Sequence, residues 1–429
     1  MMGMAARQVA AALGGAALVF ALSWAGPAAA EVLPVHGFVE AAAGARLGDE
    51  KTERPDYDML ELRLQFRSAW FPESLAEYSA EANAKVELMA DGYDGEVRAT
   101  ARELYIFLTP ADFVDVKAGR QILTWGTGDY LFINDLFPKD YVSFFIGRDD
   151  EYLKLPSDAL RALVYLPLFS LDAVVIPRFA PNRTLRGDRL SFYDAVSGAI
   201  GGRDTPRIFE RPARTAANME TALRAFRTFA SYEAALYFFN GFYKNPFGMK
   251  DPAAGRFYYP ELTVYGASLR GPAAGGIVSV EAGYYDSRED RDGANPFVEN
   301  GAVKTLLGYS RDLGNDLKAG VQYELDVMLD YDAYTRTLAP GSPVRDELRH
   351  LFTLRLSKLM YADTLRLGLF VFYSPSDEDA YLRPTVSYKA SDTFGISAGA
   401  NVFAGKKDHT EFGQADGNDN LYVRMRWDF

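Results

Sequence analysis

The sequence predicts an all-β chain: a transmembrane up-and-down antiparallel β-barrel of about 18 strands (16–18). Three observations point there. Apolar and polar residues alternate with period 2 in runs approaching ten residues, the length a tilted strand needs to cross a bilayer. The chain opens like an exported protein, yet no run of eighteen apolar residues follows that could form a membrane-spanning helix. The connections between the alternating runs are alternately short and long, the asymmetry of bacterial barrels.

Residues 1–30 read as a signal peptide. Arg7 is followed by the apolar run Val9 to Trp24, and Ala28-Ala29-Ala30 offers small residues for cleavage near Ala30. Residues 31–429 then form a single barrel destined for the outer membrane of a Gram-negative bacterium. The chain has a formal net charge of −12, which argues against a nucleic-acid partner. It has no cysteine, so disulfides and thiolate metal sites are excluded. With 29 Phe and 26 Tyr it is too apolar for disorder.

The last strand shows the alternation most clearly. Leu421, Val423, Met425, Trp427 and Phe429 share one face, and Tyr422, Arg424, Arg426 and Asp428 share the other. Leu60, Leu62, Leu64 and Phe66 alternate in the same way with Glu61, Arg63, Gln65 and Arg67. Lipid outside and water inside satisfy both faces at once. The same rule marks strands near 32–47, 57–70, 80–90, 97–109, 113–126, 158–167, 171–180, 216–227 and 232–243. It continues at 257–270, 277–287, 297–312, 316–330, 345–360, 364–374, 380–390, 394–405 and 419–429. Gly-Pro at 271–272 and Asn-Pro at 245–246 and 295–296 are among the turn signals that punctuate them.

Two motifs carry a family resemblance. Tyr422, Trp427, Asp428 and Phe429 look like the C-terminal aromatic signal of outer-membrane barrels, with Trp427 and Phe429 as the residues that the barrel-insertion machinery reads. Arg102-Glu103-Leu104-Tyr105, then Gly119-Arg120-Gln121-Ile122-Leu123-Thr124-Trp125-Gly126, Asn134-Asp135 and Pro138-Lys139-Asp140 resemble the Gly-Arg-Gln-x-x-x-Trp-Gly hairpin of porin-like and alginate-export-like barrels. The resemblance implies an eighteen-stranded pore and no particular substrate.

A barrel this wide leaves an aqueous lumen. On the lumen phase of the C-terminal third stand Lys318, Arg349, Arg355, Arg366, Arg383, Lys389, Arg424 and Arg426, against Glu324, Asp326 and Asp428. Such a wall either guides anions or merely solvates the pore and pairs across strands. Loop 127–157 is aromatic and charged, with Asp129, Asp135, Lys139, Asp140 and Arg148 as candidates for a constriction; an extracellular cap is the alternative. Loop 181–215 is rich in arginine and is expected to pair within the protein, although lipopolysaccharide phosphate or solute would also suit it. The acidic run Asp286 to Gly293 lacks the spacing of a calcium loop and reads as a solvated loop.

With His36, His350 and His409 as the only histidines, and without a nucleophile elbow or phosphate loop, nothing suggests an enzyme, a metal site or a cofactor. The expectation is a porin-like channel for small polar, anionic solutes. Its surroundings would be outer-membrane lipid and lipopolysaccharide, and homo-oligomers would fit. The alternative is a plugged barrel serving export, assembly or adhesion.

Overall fold

The computed structural model describes residues 34–47 and 55–429; the signal-peptide reading falls outside them. The first strands are β1 (Val35–Arg46), β2 (Tyr57–Trp70), β3 (Glu81–Asp91), β4 (Glu96–Ala111), β5 (Val114–Ile122) and β6 (Pro156–Tyr165). Next come β7 (Ser170–Ile176), β8 (Glu220–Phe229), β9 (Tyr232–Phe242), β10 (Glu261–Ala273), β11 (Gly276–Ser287) and β12 (Ala302–Asp312). The circuit ends with β13 (Leu317–Met328), β14 (Leu348–Met360), β15 (Leu365–Ser374), β16 (Asp379–Lys389), β17 (Phe394–Gly405) and β18 (Asn420–Asp428). These make one 18-stranded antiparallel sheet. It closes where β1 meets β18, from Phe38 opposite Asp428 to Arg46 opposite Asn420. Closure matters because an open edge would leave backbone donors and acceptors unpaired in hydrocarbon.

The two faces of each strand meet different media. On β2, Leu62 is 55% exposed on the outside while its neighbour Arg63 is 1% exposed inside. The outer belt continues with Leu104, Leu160, Leu236, Leu307, Val321 and Met425. His350 sits on this outer phase, where its Nδ1 lies 2.8 Å from the Tyr323 hydroxyl.

All eighteen expected strands are present, but several stop short at the long-loop end. β5 ends at Ile122 because residues 123–126 leave the wall and turn inward. β10 begins at Glu261, after Pro260, which has no N–H to donate. The preceding Arg256–Tyr258 instead joins a small sheet with Ile208–Glu210 and Gly248–Asp251. β13 ends at Met328, and Tyr331–Thr337 forms a short helix. The long turn 71–80 holds a 3-10 helix, Glu73–Tyr78.

Placing a charge on the lipid face near mid-strand should cost about 2–4 kcal/mol. Leu62→Arg is therefore expected to lower the unfolding free energy in lipid vesicles by that amount, read from denaturant titration, and Leu62→Val to leave it nearly unchanged.

Candidate functional site

The interior is occupied by the connection between β5 and β6, residues 123–155. It leaves the wall on the hairpin residues. Gln121 is fully buried and its Nε2 donates to the Ala159 carbonyl at 3.1 Å. The Trp125 indole donates to Asp172 Oδ2 at 3.1 Å and packs edge-on to Phe137 at 5.1 Å. Gly126 has φ +81°, a conformation that turns the chain away from the wall at low steric cost. Glu281, inward-facing on β11, then receives the turning backbone: the Thr127 and Gly128 amides donate to its Oε1, and Asn134 Nδ2 donates to Oε2 at 3.0 Å.

From there the loop crosses the lumen. Asp129 forms an ion pair with Arg355 at 3.1 Å. Tyr130 packs on Phe370, with ring centroids 4.6 Å apart. Asp140 caps the short helix α1 (Tyr141–Phe145), accepting from the Ser143 amide at 2.9 Å. Phe144 and Phe145 of that helix lie against Tyr381, and Phe145 against Phe403. Together with Leu131, Ile133 and Phe137 they form a hydrophobic core inside the barrel. Gly147, at φ +82°, lies flat on the Tyr422 ring, and a Cβ there would come within 2.1 Å of it.

The far end of the loop is clamped by charge. Glu61, almost sealed from water on β2, accepts from Arg148 Nε at 3.0 Å and from Arg189 Nη1 at 3.1 Å. Arg63 Nη2 donates to its other oxygen at 2.9 Å. Asp149 pairs with Arg424 at 3.0 Å, Asp150 with Arg383 at 3.0 Å and Glu151 with Lys85 at 2.6 Å. The Tyr152 hydroxyl donates to Glu87 at 2.6 Å, and its ring lies under Arg63 and Arg102. Arg102 is the extra residue of a bulge in β4, so its side chain is aimed at the loop, where Nη2 donates to the Glu151 carbonyl at 2.8 Å.

The constriction candidates therefore divide. Asp129 faces the wall cation Arg355. Lys139 is buried, with its Nζ 2.9 Å from Asp135 and 2.8 Å from the Phe137 carbonyl. Burial pushes the Lys139 ammonium down and Asp135 counters it. Asp140 caps a helix and pairs with Arg183 at 3.3 Å, and Arg148 joins the Glu61 clamp. Four of the five thus serve the loop's own architecture.

The eight wall cations all face inward, but they are not an open ladder. Arg355, Arg383, Arg424 and Arg426 lie within ion-pair distance of loop acids, at 3.1, 3.0, 3.0 and 3.9 Å. Arg349 is held by Asp377 and by Glu411 at 2.8 Å, and Lys389 by Asp392 at 2.8 Å. Only Lys318 and Arg366 show no ion pair among the described residues. The positive excess seen along the strands is offset by a loop distant in sequence. Much of loop 181–215 is likewise spent within the protein: Arg189 is bound to Glu61 and Asp91, and Arg207 to Asp194, while Arg211 and Arg214 are exposed. Asp286 pairs with Arg291 at 2.8 Å, and Asp290 accepts from backbone amides.

Above the loop, on the long-loop side, lies a vestibule of about 550 Å³. Seven carboxylates and six Lys or Arg residues line it, so its wall is nearly neutral. His409 stands at its rim; burial, with Lys407 beside it, pushes the imidazole down. From the sequence, Glu281 was not singled out, Glu61 and Glu87 appeared only as inward positions, Arg102 only within the hairpin motif, and Glu324 only as a lumen acid. Their inward phase was legible, but the partner that makes each one matter was not.

No family model matches the chain, and no curated protein matches it. Solved structures do share its fold. OccD3 (OpdP) of Pseudomonas aeruginosa has a TM-score of 0.54 at 10% identity, over 93% of this chain and 91% of that one. OccK11 (OpdR) of Pseudomonas aeruginosa has a TM-score of 0.53 at 10% identity, over 92% and 95%. At such identity the likeness is one of fold: a closed barrel of outer-membrane porin type.

Glu61→Ala would leave three guanidinium groups buried without their shared carboxylate. It should cost about 3–5 kcal/mol of stability, read as a lowered denaturation midpoint in detergent, and Glu61→Gln should recover part of it. The loop should also loosen in acid. Burial alone would raise the Asp149 carboxyl, but Arg424, the Glu151 amide and Arg426 hold it below the usual range. A depressed carboxylate stabilises docking above its unfolded pKa and loses that contribution as pH falls through the folded value. In a background where Trp70 and Trp427 are replaced by Phe, so that Trp125 is the reporter of the barrel, emission should shift red as pH falls below about 4, and the shift should shrink in Asp149→Asn. Emission unchanged down to pH about 2 would mean that this pair does not hold the loop.

Proposed function

We propose that the chain is a porin-like channel of a Gram-negative outer membrane, which passes small polar solutes through a lumen narrowed by residues 123–155. One observation carries this reading. An apolar belt surrounds a closed 18-stranded sheet whose interior holds charged side chains and an aqueous vestibule. Eight-stranded barrels fill with side chains, whereas this circumference leaves room that only a folded loop narrows. The hairpin likeness to alginate-export-like barrels supports the same reading, because Gln121, Trp125 and Gly126 are residues that steer the loop inward.

Anion preference is the finer part of the proposal, and it rests on Lys318 and Arg366. Both lie toward the short-turn end of their strands, where no loop acid reaches them. A point charge and a guanidinium fork in a narrow, low-dielectric passage attract carboxylate or phosphate. The loop's buried aromatic core favours the second reading, a plugged barrel that conducts nothing.

Planar-bilayer recordings separate the two. The folded protein should give discrete conductance steps, and replacing residues 128–152 with a short Gly-Ser linker should enlarge them. A folded sample without current would remove the channel reading. In a salt gradient, replacing Lys318 and Arg366 together by Gln should move the reversal potential toward cation preference. An unmoved potential would remove anion guidance by these two residues.

A further inference from the structure

Among the residues lining the vestibule, Glu324 is the buried carboxylate that no hydrogen bond or ion pair answers; Asp346, also without one, is exposed to water. Glu324, inward-facing on β13, is 8% exposed and makes no hydrogen bond or ion pair among the described residues. The cations around it are already engaged. Lys304 is bound to Asp326, Arg349 to Asp377 and Glu411, and Arg345 to Glu299 at 2.7 Å. Lys244 is held by Glu220 at 2.6 Å, Lys139 by Asp135 at 2.9 Å and Lys407 by Glu378 at 3.6 Å. An anion entering here finds each Lys or Arg occupied. A cation finds a carboxylate that burial has stripped of water and that Lys304 and Arg349 offset only at a distance, without an ion pair.

We propose that Glu324 is the binding residue for the ammonium group of a small organic amine, held in the vestibule with its carbon body against the surrounding aromatic rings. Tyr141, Tyr243, Tyr285, Phe132 and Phe372 line the same space. Aromatic faces attract an ammonium and pack an apolar body equally well. Burial raises the Tyr141 phenol, and the Glu411, Asp135 and Glu324 carboxylates add to the effect, which puts the free carboxylate in electrostatic range of that ring. The volume, about 550 Å³, lies within the ~300–1,000 Å³ of small-molecule sites. An ammonium supplies the hydrogen bonds and the charge that Glu324 lacks, and the aromatic wall selects an organic cation over a bare metal ion. The inference rests on the reading of the lumen as a path for polar solutes and narrows the class of solute held at its long-loop side.

The test is equilibrium binding to the full chain folded in detergent micelles, followed by calorimetry. The probes are benzylamine and its near-isosteres benzyl alcohol and benzoate. Benzylamine should bind saturably and the other two should not. Glu324→Gln should weaken benzylamine by about ten- to a hundredfold, the worth of one charge-assisted hydrogen bond. Glu324→Asp should keep part of the affinity, and Glu73→Gln, exposed on the 3-10 helix of the 71–80 turn, should keep all of it. Benzylamine that fails to saturate, benzoate that binds equally well, or undiminished binding in Glu324→Gln would each overturn the proposal. Binding without bilayer conductance would uphold the Glu324 site and remove the channel reading; conductance without amine binding would do the reverse.

Discussion

Glu61 is turned inward from β2 and almost closed off from water, and a carboxylate in that position must be met by cations. Three arginines from three places meet it: Arg63 from its own strand, Arg148 from the lumen loop and Arg189 from the loop between β7 and β8. Asp91 on β3 accepts from Arg189 and lies 3.7 Å from Arg148, so neither arginine depends on one acid alone. This cluster ties two long loops to the wall. The course of residues 123–155 across the lumen, and hence the floor of the vestibule, depends on it.

Desolvation makes such pairs weak sources of net stability, but breaking one of them is costly. Their effect is to select one docked position for the loop. Net stabilisation comes from the rings packed behind them. Phe144, Phe145, Tyr381 and Phe403 form a dry contact where a wide barrel would otherwise hold water. The barrel thus has two apolar regions with different duties. The outer belt meets lipid, and the inner core fixes a loop. Between them, most polar groups are met by strand ladders and by wall-to-loop ion pairs, although both Asp58 carboxylate oxygens lack a hydrogen-bond partner.

The electrostatics of the lumen follow from the same docking. Strand residues by themselves present a basic wall from β13 to β18, whereas the folded molecule presents pairs. Asp149, Asp150 and Glu151 are adjacent in the chain and reach different strands, so one short segment offsets cations spread over a wide arc of the barrel. Among the wall cations and the buried acids of the vestibule, those left without an ion pair are separated by depth: Lys318 and Arg366 toward the short turns, Glu324 in the vestibule. In a confined lumen a few free charges at distinct depths shape the field more than a long row of neutralised ones.

Much of the fold could be read directly from the chain. Period-2 alternation is a local property: Leu62 and Arg63 sit on opposite faces whatever else the molecule does, and closure follows because lipid tolerates no open edge. Strand number, the outer face and the inward phase of all eight wall cations were therefore determined by sequence. Strand ends at the long-loop side were not, because Arg256–Tyr258 and Tyr331–Thr337 take their structure from distant partners and from turns. Nor was the role of the charges. Arg383 reads as a lumen cation from its own strand, and only the fold brings Asp150 to it, 233 residues away in the chain. Pairing, neutralisation and the lack of a partner for Glu324 arise from contacts between remote segments, and alternation along one strand carries no information about what lies across the lumen.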